Sequence, residues 1–111
     1  MRVIAQAGAF TPPDRSEPNH WIVHLDSDDL SVGTYSIPAG GLDDQTPHTE
    51  DEIYLVRSGR ATLVTSSGTA EVGPGTVAYV PAMETHQFTG ILEDLALLVI
   101  FAPPYGSRAA S

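Results

Sequence analysis

At 111 residues the chain can bury one hydrophobic core but hardly two. Five arginines, no lysine and fourteen acidic residues give a net charge of −9, which removes the electrostatic basis for binding nucleic acid and argues against attachment to an anionic membrane. With no cysteine there is no disulfide and no thiolate, so any metal must take nitrogen and oxygen ligands.

The chain opens on MRVIAQAGAF, too short and too polar an apolar stretch for a secretory leader, and no later run approaches a membrane span. The expected location is the cytoplasm. Residues 1–19 end in TPPDRSEPN, a Pro-rich connector that predicts an extended arm rather than a core element. HWIVHL (20–25) is β-branched and aromatic and predicts a strand, closed by the DSDD turn. LSVGTYSI (30–37) is the next strand, stopped by Pro38-Ala39-Gly40-Gly41. A strand over 52–57 follows, then a tight turn at Ser58-Gly59 and a strand over 60–65. Ser66-Ser67-Gly68 predicts a hairpin into 69–72, and Gly73-Pro74-Gly75 leads to a strand over 76–80. THQFT (85–89) is a short strand, and LALLVIF (95–101) is a continuous apolar run consistent with a strand buried on both faces. Pro103-Pro104 ends it.

Eight or nine short strands punctuated by turns, with no helical periodicity, predict an all-β sandwich or small barrel. The expected organisation is an N-terminal arm (1–19), one barrel domain (20–102) and a frayed C-terminal tail (103–111).

The chemically dense stretch is Gly40 to Gly59, GGLDDQTPHTEDEIYLVRSG. Alternate residues of an extended chain share a side, so Thr46, His48 and Glu52 fall on one face, with Tyr54 and Val56 continuing it. His86 and Phe88, two apart on a later strand, can face the same interior. Two imidazoles and one carboxylate from two strands make a facial triad that leaves positions open on a divalent metal. Plainer roles stand beside this one. His48 follows Pro47 in an acidic loop and could pair with Glu50 or Asp51, His86 could cap a strand end, and Glu52 could face solvent. An inward Glu52 without a partner, however, would cost several kcal/mol. Asp43, Asp44, Glu50 and Asp51 read most simply as a solvated loop that attracts cations to the barrel mouth.

Two motifs in order resemble those of single-domain cupins. The first, G-x5-H-x-H-x3-4-E-x6-G, is matched by Gly40, His48, Glu52 and Gly59, with Thr46 at the place of the first histidine. The second, G-x5-P-x-G-x2-H-x3-N, is matched by Gly75, Pro81 and His86, with Met83 for a glycine and Gly90 for the asparagine. The resemblance spans about residues 20–102 and implies a jelly-roll barrel, the double-stranded β-helix of two antiparallel sheets. It also implies one divalent metal (Fe, Mn, Ni, Cu or Zn) on His48, Glu52 and His86.

Thr46 removes one imidazole from the usual four, so Gln45, Thr46, Glu50 or water must fill the place if it is filled. Three outcomes stay open: a three-ligand metal enzyme, a weakened site, or a barrel that keeps only a binding pocket. Glu50, beside His48, is the candidate general base, with a solvated loop acid as the alternative. Tyr54 and Phe88 are the candidate pocket-lining aromatics. By analogy with the family, the expected activity is a quercetinase-like dioxygenase on a small organic substrate. A lyase, isomerase or polyketide cyclase, or a small-ligand-binding protein, are the alternatives. The apolar arm and the run 95–101 predict a homodimer.

Overall fold

Six antiparallel strands and no helix make up the computed structural model, which describes residues 1–108. The expected tail therefore falls partly outside the described residues, at 109–111. The strands are β1 (His20–Asp26), β2 (Ser31–Ile37), β3 (Asp51–Thr65), β4 (Gly68–Val72), β5 (Val77–Val80) and β6 (His86–Ala102). They pair in the order β1-β2-β6-β3-β4, and β5 pairs with β3. The all-β jelly roll expected from the sequence is the fold observed. Among the described residues no helix is long and apolar enough to cross a membrane.

Strand number is where the sequence misleads. The segments 52–57 and 60–65 are one strand, as are 85–89 and 95–101. Ser58-Gly59 is a bulge rather than a hairpin turn, and the pairing of β3 with β6 slips there, between Val56 and Ser58 and again before Thr62. The slip re-phases the side chains. Glu52, Tyr54 and Val56 point inward before it, and Ala61 and Leu63 after it. Gly59 is required at this point: its φ is +91°, and a Cβ would collide with the Asp94 carbonyl oxygen of the neighbouring strand. β6 re-phases in the same way, from His86 and Phe88 to Ile91, Leu95, Leu97, Val99 and Phe101. Two bent strands thus roll the sheet and carry both halves of the site. The β3–β4 hairpin at Ser66-Ser67 forms as expected, with Thr65 opposite Gly68.

The core gathers Ile37, Val56, Leu95, Leu97 and Val99 with Tyr54 and Phe88. Each such aliphatic side chain contributes about 1.5–3 kcal/mol by leaving water. The other face of β2 is covered by the N-terminal arm. The Gly8 amide donates to Thr34 Oγ1 at 2.8 Å and the Thr11 amide to Ser36 Oγ at 3.0 Å, which accounts for two fully buried hydroxyl residues.

The frayed-tail expectation is corrected for residues 105–108. The Tyr105 amide donates to Ser31 Oγ at 3.0 Å, and the Gly106 and Arg108 amides donate to the two oxygens of Glu50 at 2.9 and 3.0 Å. A buried carboxylate clamps the turn, and the Tyr105 ring is laid against the barrel mouth.

Candidate metal centre

The site is built from one loop and two strands. β3 enters at Asp51, so Glu52 is the first inward residue of the strand and Tyr54 the second. His86 begins β6, where its ring Nδ1–H donates to the Glu84 carbonyl at 2.8 Å, leaving Nε2 turned inward. His48 lies in the loop before β3, pinned by the Met83 amide on its carbonyl at 2.7 Å. One donor atom from each of His48, Glu52 and His86 lies within 4.8 Å of the others. His86 Nε2 is 3.1 Å from Glu52 Oε1, and His48 Nε2 is 3.8 Å from it. The three expected ligands are therefore brought together.

Gln45 joins them. Its Oε1 lies 2.9 Å from His48 Nε2, 3.1 Å from His86 Nε2 and 2.9 Å from the Tyr54 hydroxyl, which donates to it. Thr46, the other expected fourth ligand, is exposed. Regular strand parity does not extend to it, because residues 46–48 precede the strand.

The donor set fits a divalent cation. Glu52 is 2% exposed, and its Oε1 has no hydrogen-bond partner, although His86 Nε2 stands at ion-pair distance. An orphaned buried carboxylate oxygen is costly unless a cation serves it. Burial opposes the charged form of His86, but the Glu52 carboxylate and the Glu84 carbonyl outweigh burial and hold the imidazole above its ordinary pKa. Burial keeps His48 below its ordinary value, and His86 adds to this against the pull of Glu52.

Several assignments change. Glu50 is not placed as a free base: it is 1% exposed, and its oxygens accept from Thr49, Gly106 and Arg108. Burial raises its pKa, but those hydrogen bonds outweigh burial and hold the carboxyl below its ordinary value. A carboxylate so satisfied is a weak proton acceptor. Nor is it a solvated loop acid. Asp43 departs from that reading too, at 1% exposed, accepting from the Tyr35 hydroxyl at 2.8 Å and the Phe88 amide at 2.8 Å. Tyr54 and Phe88 stand in the core behind the donors, edge to face at 4.9 Å, rather than on the cavity wall.

The cavity in front of the donors, about 170 Å³, is walled by Trp21, Tyr35, Val99, Phe101 and Tyr105, with Asn19 and Asp44 as further polar lining. The Tyr105 ring meets His48 edge to face, 5.4 Å between ring centres, and lies tilted against Trp21 at 6.2 Å. Tyr105 escaped the sequence reading because it belongs to the segment taken as a tail.

A family model described as "Cupin domain" matches residues 33–101. An uncharacterized protein of Streptomyces coelicolor is 49% identical over 75 residues, which covers 68% of this chain and 71% of that protein. The crystal structure of TT1209 from Thermus thermophilus superposes with a TM-score of 0.73 at 19% identity, covering 94% of this chain and 97% of that one. DMSP lyase DddQ from Ruegeria pomeroyi superposes with a TM-score of 0.73 at 20% identity, over 99% of this chain but 57% of DddQ. Identities this low speak to the fold alone.

Proposed function

The chain belongs to the cupin family, and from that premise we propose that it is a metal-dependent enzyme whose ligands are His48, Glu52 and His86. The observation that carries this reading is the buried Glu52 oxygen without a hydrogen-bond partner, faced by two imidazole Nε2 atoms. A divalent ion held there supplies a Lewis acid, or a site for activating oxygen, with positions left open toward the cavity.

The remaining work falls to the chain's own residues. Trp21, Tyr35, Phe101 and Tyr105 would grip an apolar or aromatic body, while Asn19 and Asp44 would orient its polar end. Asn19 Nδ2 already donates to Asp44 Oδ1 at 2.9 Å, so the polar pair is preset. Tyr54 keeps its proton: burial and the nearby Glu52 push its pKa well up, so the hydroxyl acts as a donor.

A dioxygenase acting on a small organic molecule is the first reading. A lyase acting on a compact molecule is the second, and the cavity would suit such a substrate. About 170 Å³ is small beside the roughly 300–1,000 Å³ of pockets for drug-sized ligands, which points to a compact substrate. The fold shared with DddQ, a DMSP lyase, is compatible with that.

Protein purified without a metal-binding tag is expected to carry close to one transition metal per chain by elemental analysis. Background metal after growth with Fe, Mn, Ni, Cu and Zn supplied in turn would overturn the reading. Oxygen uptake over catechols, flavonols and thiols by the loaded protein then separates the two activities, since only the dioxygenase consumes oxygen.

The same reading takes the protein to be a cytoplasmic homodimer. Leu95–Phe101 no longer supports this, being spent on the chain's own core. Support comes instead from the short outer strand β5, where Val77 and Tyr79 are 63% and 61% exposed beside exposed Ile53. Light scattering should give twice the 11.8 kDa of one chain, and a monomeric mass would sink the dimer.

A further inference from the structure

We propose that Gln45 is the fourth donor of the metal centre, replacing the imidazole absent at Thr46, and that Asp43 is the positioning residue that turns the Gln45 amide to present its oxygen. The inference rests on the three-ligand reading above and extends it to two residues of the preceding loop.

A glutamine amide has an accepting end and a donating end of nearly equal shape, and its neighbours decide which faces a site. Here the decision is forced. Asp43 Oδ2 lies 2.7 Å from Gln45 Nε2, and an ionised carboxylate only accepts, so the NH2 end must face Asp43. The oxygen end is then aimed at His48 Nε2 and His86 Nε2, at 2.9 and 3.1 Å. With metal bonds of about 2.0–2.2 Å, neighbouring donors lie about 3 Å apart. Gln45 Oε1 keeps that spacing to both Nε2 atoms, and His86 Nε2 keeps it to Glu52 Oε1, while His48 Nε2 stands 3.8 Å from Glu52 Oε1.

Asp43 cannot easily turn away. Its Oδ1 accepts from the Tyr35 hydroxyl at 2.8 Å and the Gln45 backbone N–H at 3.2 Å, and its Oδ2 also accepts from the Phe88 backbone N–H at 2.8 Å. Its own carbonyl accepts from Gln87 Nε2 at 2.6 Å. Strands β2 and β6 therefore both hold the carboxylate that holds the amide. The arrangement is that of an outer carboxylate orienting a metal ligand, here with an amide as the ligand instead of an imidazole.

Charge favours the exchange. An amide oxygen is neutral like the imidazole it replaces, so one carboxylate still faces one divalent ion, and the buried balance is unchanged. The exposed Thr46 hydroxyl cannot serve in its place.

The test is competition titration of zinc against a chromophoric chelator, with the visible spectrum of the cobalt(II) protein as a reporter of coordination. Gln45→Leu, on a half-buried side chain, should weaken zinc binding by at least about 10–100-fold and change the cobalt spectrum. Asp43→Asn, which no longer dictates the amide's direction, should weaken it by about 10–100-fold. If Asp43 acts through Gln45, the double variant loses no more affinity than Gln45→Leu alone; additive losses would refute the positioning role. Unchanged affinity and an unchanged cobalt spectrum in Gln45→Leu would refute the donor while leaving the three-ligand centre intact. A wild-type protein that binds neither zinc nor cobalt refutes that centre itself.

Discussion

Purified His86→Ala protein is expected to contain metal only at background level, while the unaltered protein retains close to one ion per chain. Of the three proposed ligands, His86 has the least freedom to be replaced. It is 3% exposed, its Nδ1 is fixed on the Glu84 carbonyl, and its Nε2 lies within 3.1 Å of Glu52 Oε1, Gln45 Oε1 and the Tyr54 hydroxyl together. Losing a ligand should exceed the roughly 10–100-fold that outer changes cost in affinity. In the metal-free protein the same substitution leaves the buried Glu52 side chain without its nearest partner, and stranding one member of a buried pair costs about 3–5 kcal/mol. Denaturant unfolding of the metal-free protein should show a loss of that order. Adding Glu52→Gln to His86→Ala should return much of the stability and none of the metal. Metal content unchanged in His86→Ala would remove this histidine from the centre.

Much of that pairing was legible from residue order. Glu52 and Tyr54 are two apart at the start of a strand, and His86 and Phe88 are two apart at the start of another, so each pair shares a face whatever the register. The bulge at Ser58-Gly59 was not legible. A Ser-Gly pair marks a turn and a bulge alike, and only the partner strand, with Asp94 too close for any side chain, decides between them. Asp43 was hidden for a related reason. Within GGLDDQ it looks like one more loop acid, and its burial comes from the Tyr35 hydroxyl and the Phe88 amide, 8 and 45 residues away. Gln45 carries a faint signal, three residues ahead of His48, but the direction of its amide depends wholly on Asp43. The Glu50 clamp left least trace. Its partners are backbone amides 56 and 58 residues on, and an amide has no letter in the sequence.

That clamp makes the last prediction. Glu50→Gln keeps the shape of the side chain but offers one accepting oxygen where Gly106 and Arg108 require two. One amide then meets an NH2 group instead of an acceptor. Hydrogen bonds to a charged group are worth about 1.5–3 kcal/mol, and a loss of that size is expected in unfolding. The more telling readout is local. Trp21 is the chain's one tryptophan, and Tyr105 packs against it, 6.2 Å between ring centres. Released from Glu50, the turn should lift Tyr105 from the mouth, so acrylamide should quench Trp21 fluorescence more strongly in Glu50→Gln. Deleting residues 105–111 should produce the same rise without touching Glu50. If both proteins quench as the unaltered one does, the turn does not cover the cavity. A rise in both would make the C-terminal segment a wall of the site, with Glu50 holding that wall in place rather than moving protons.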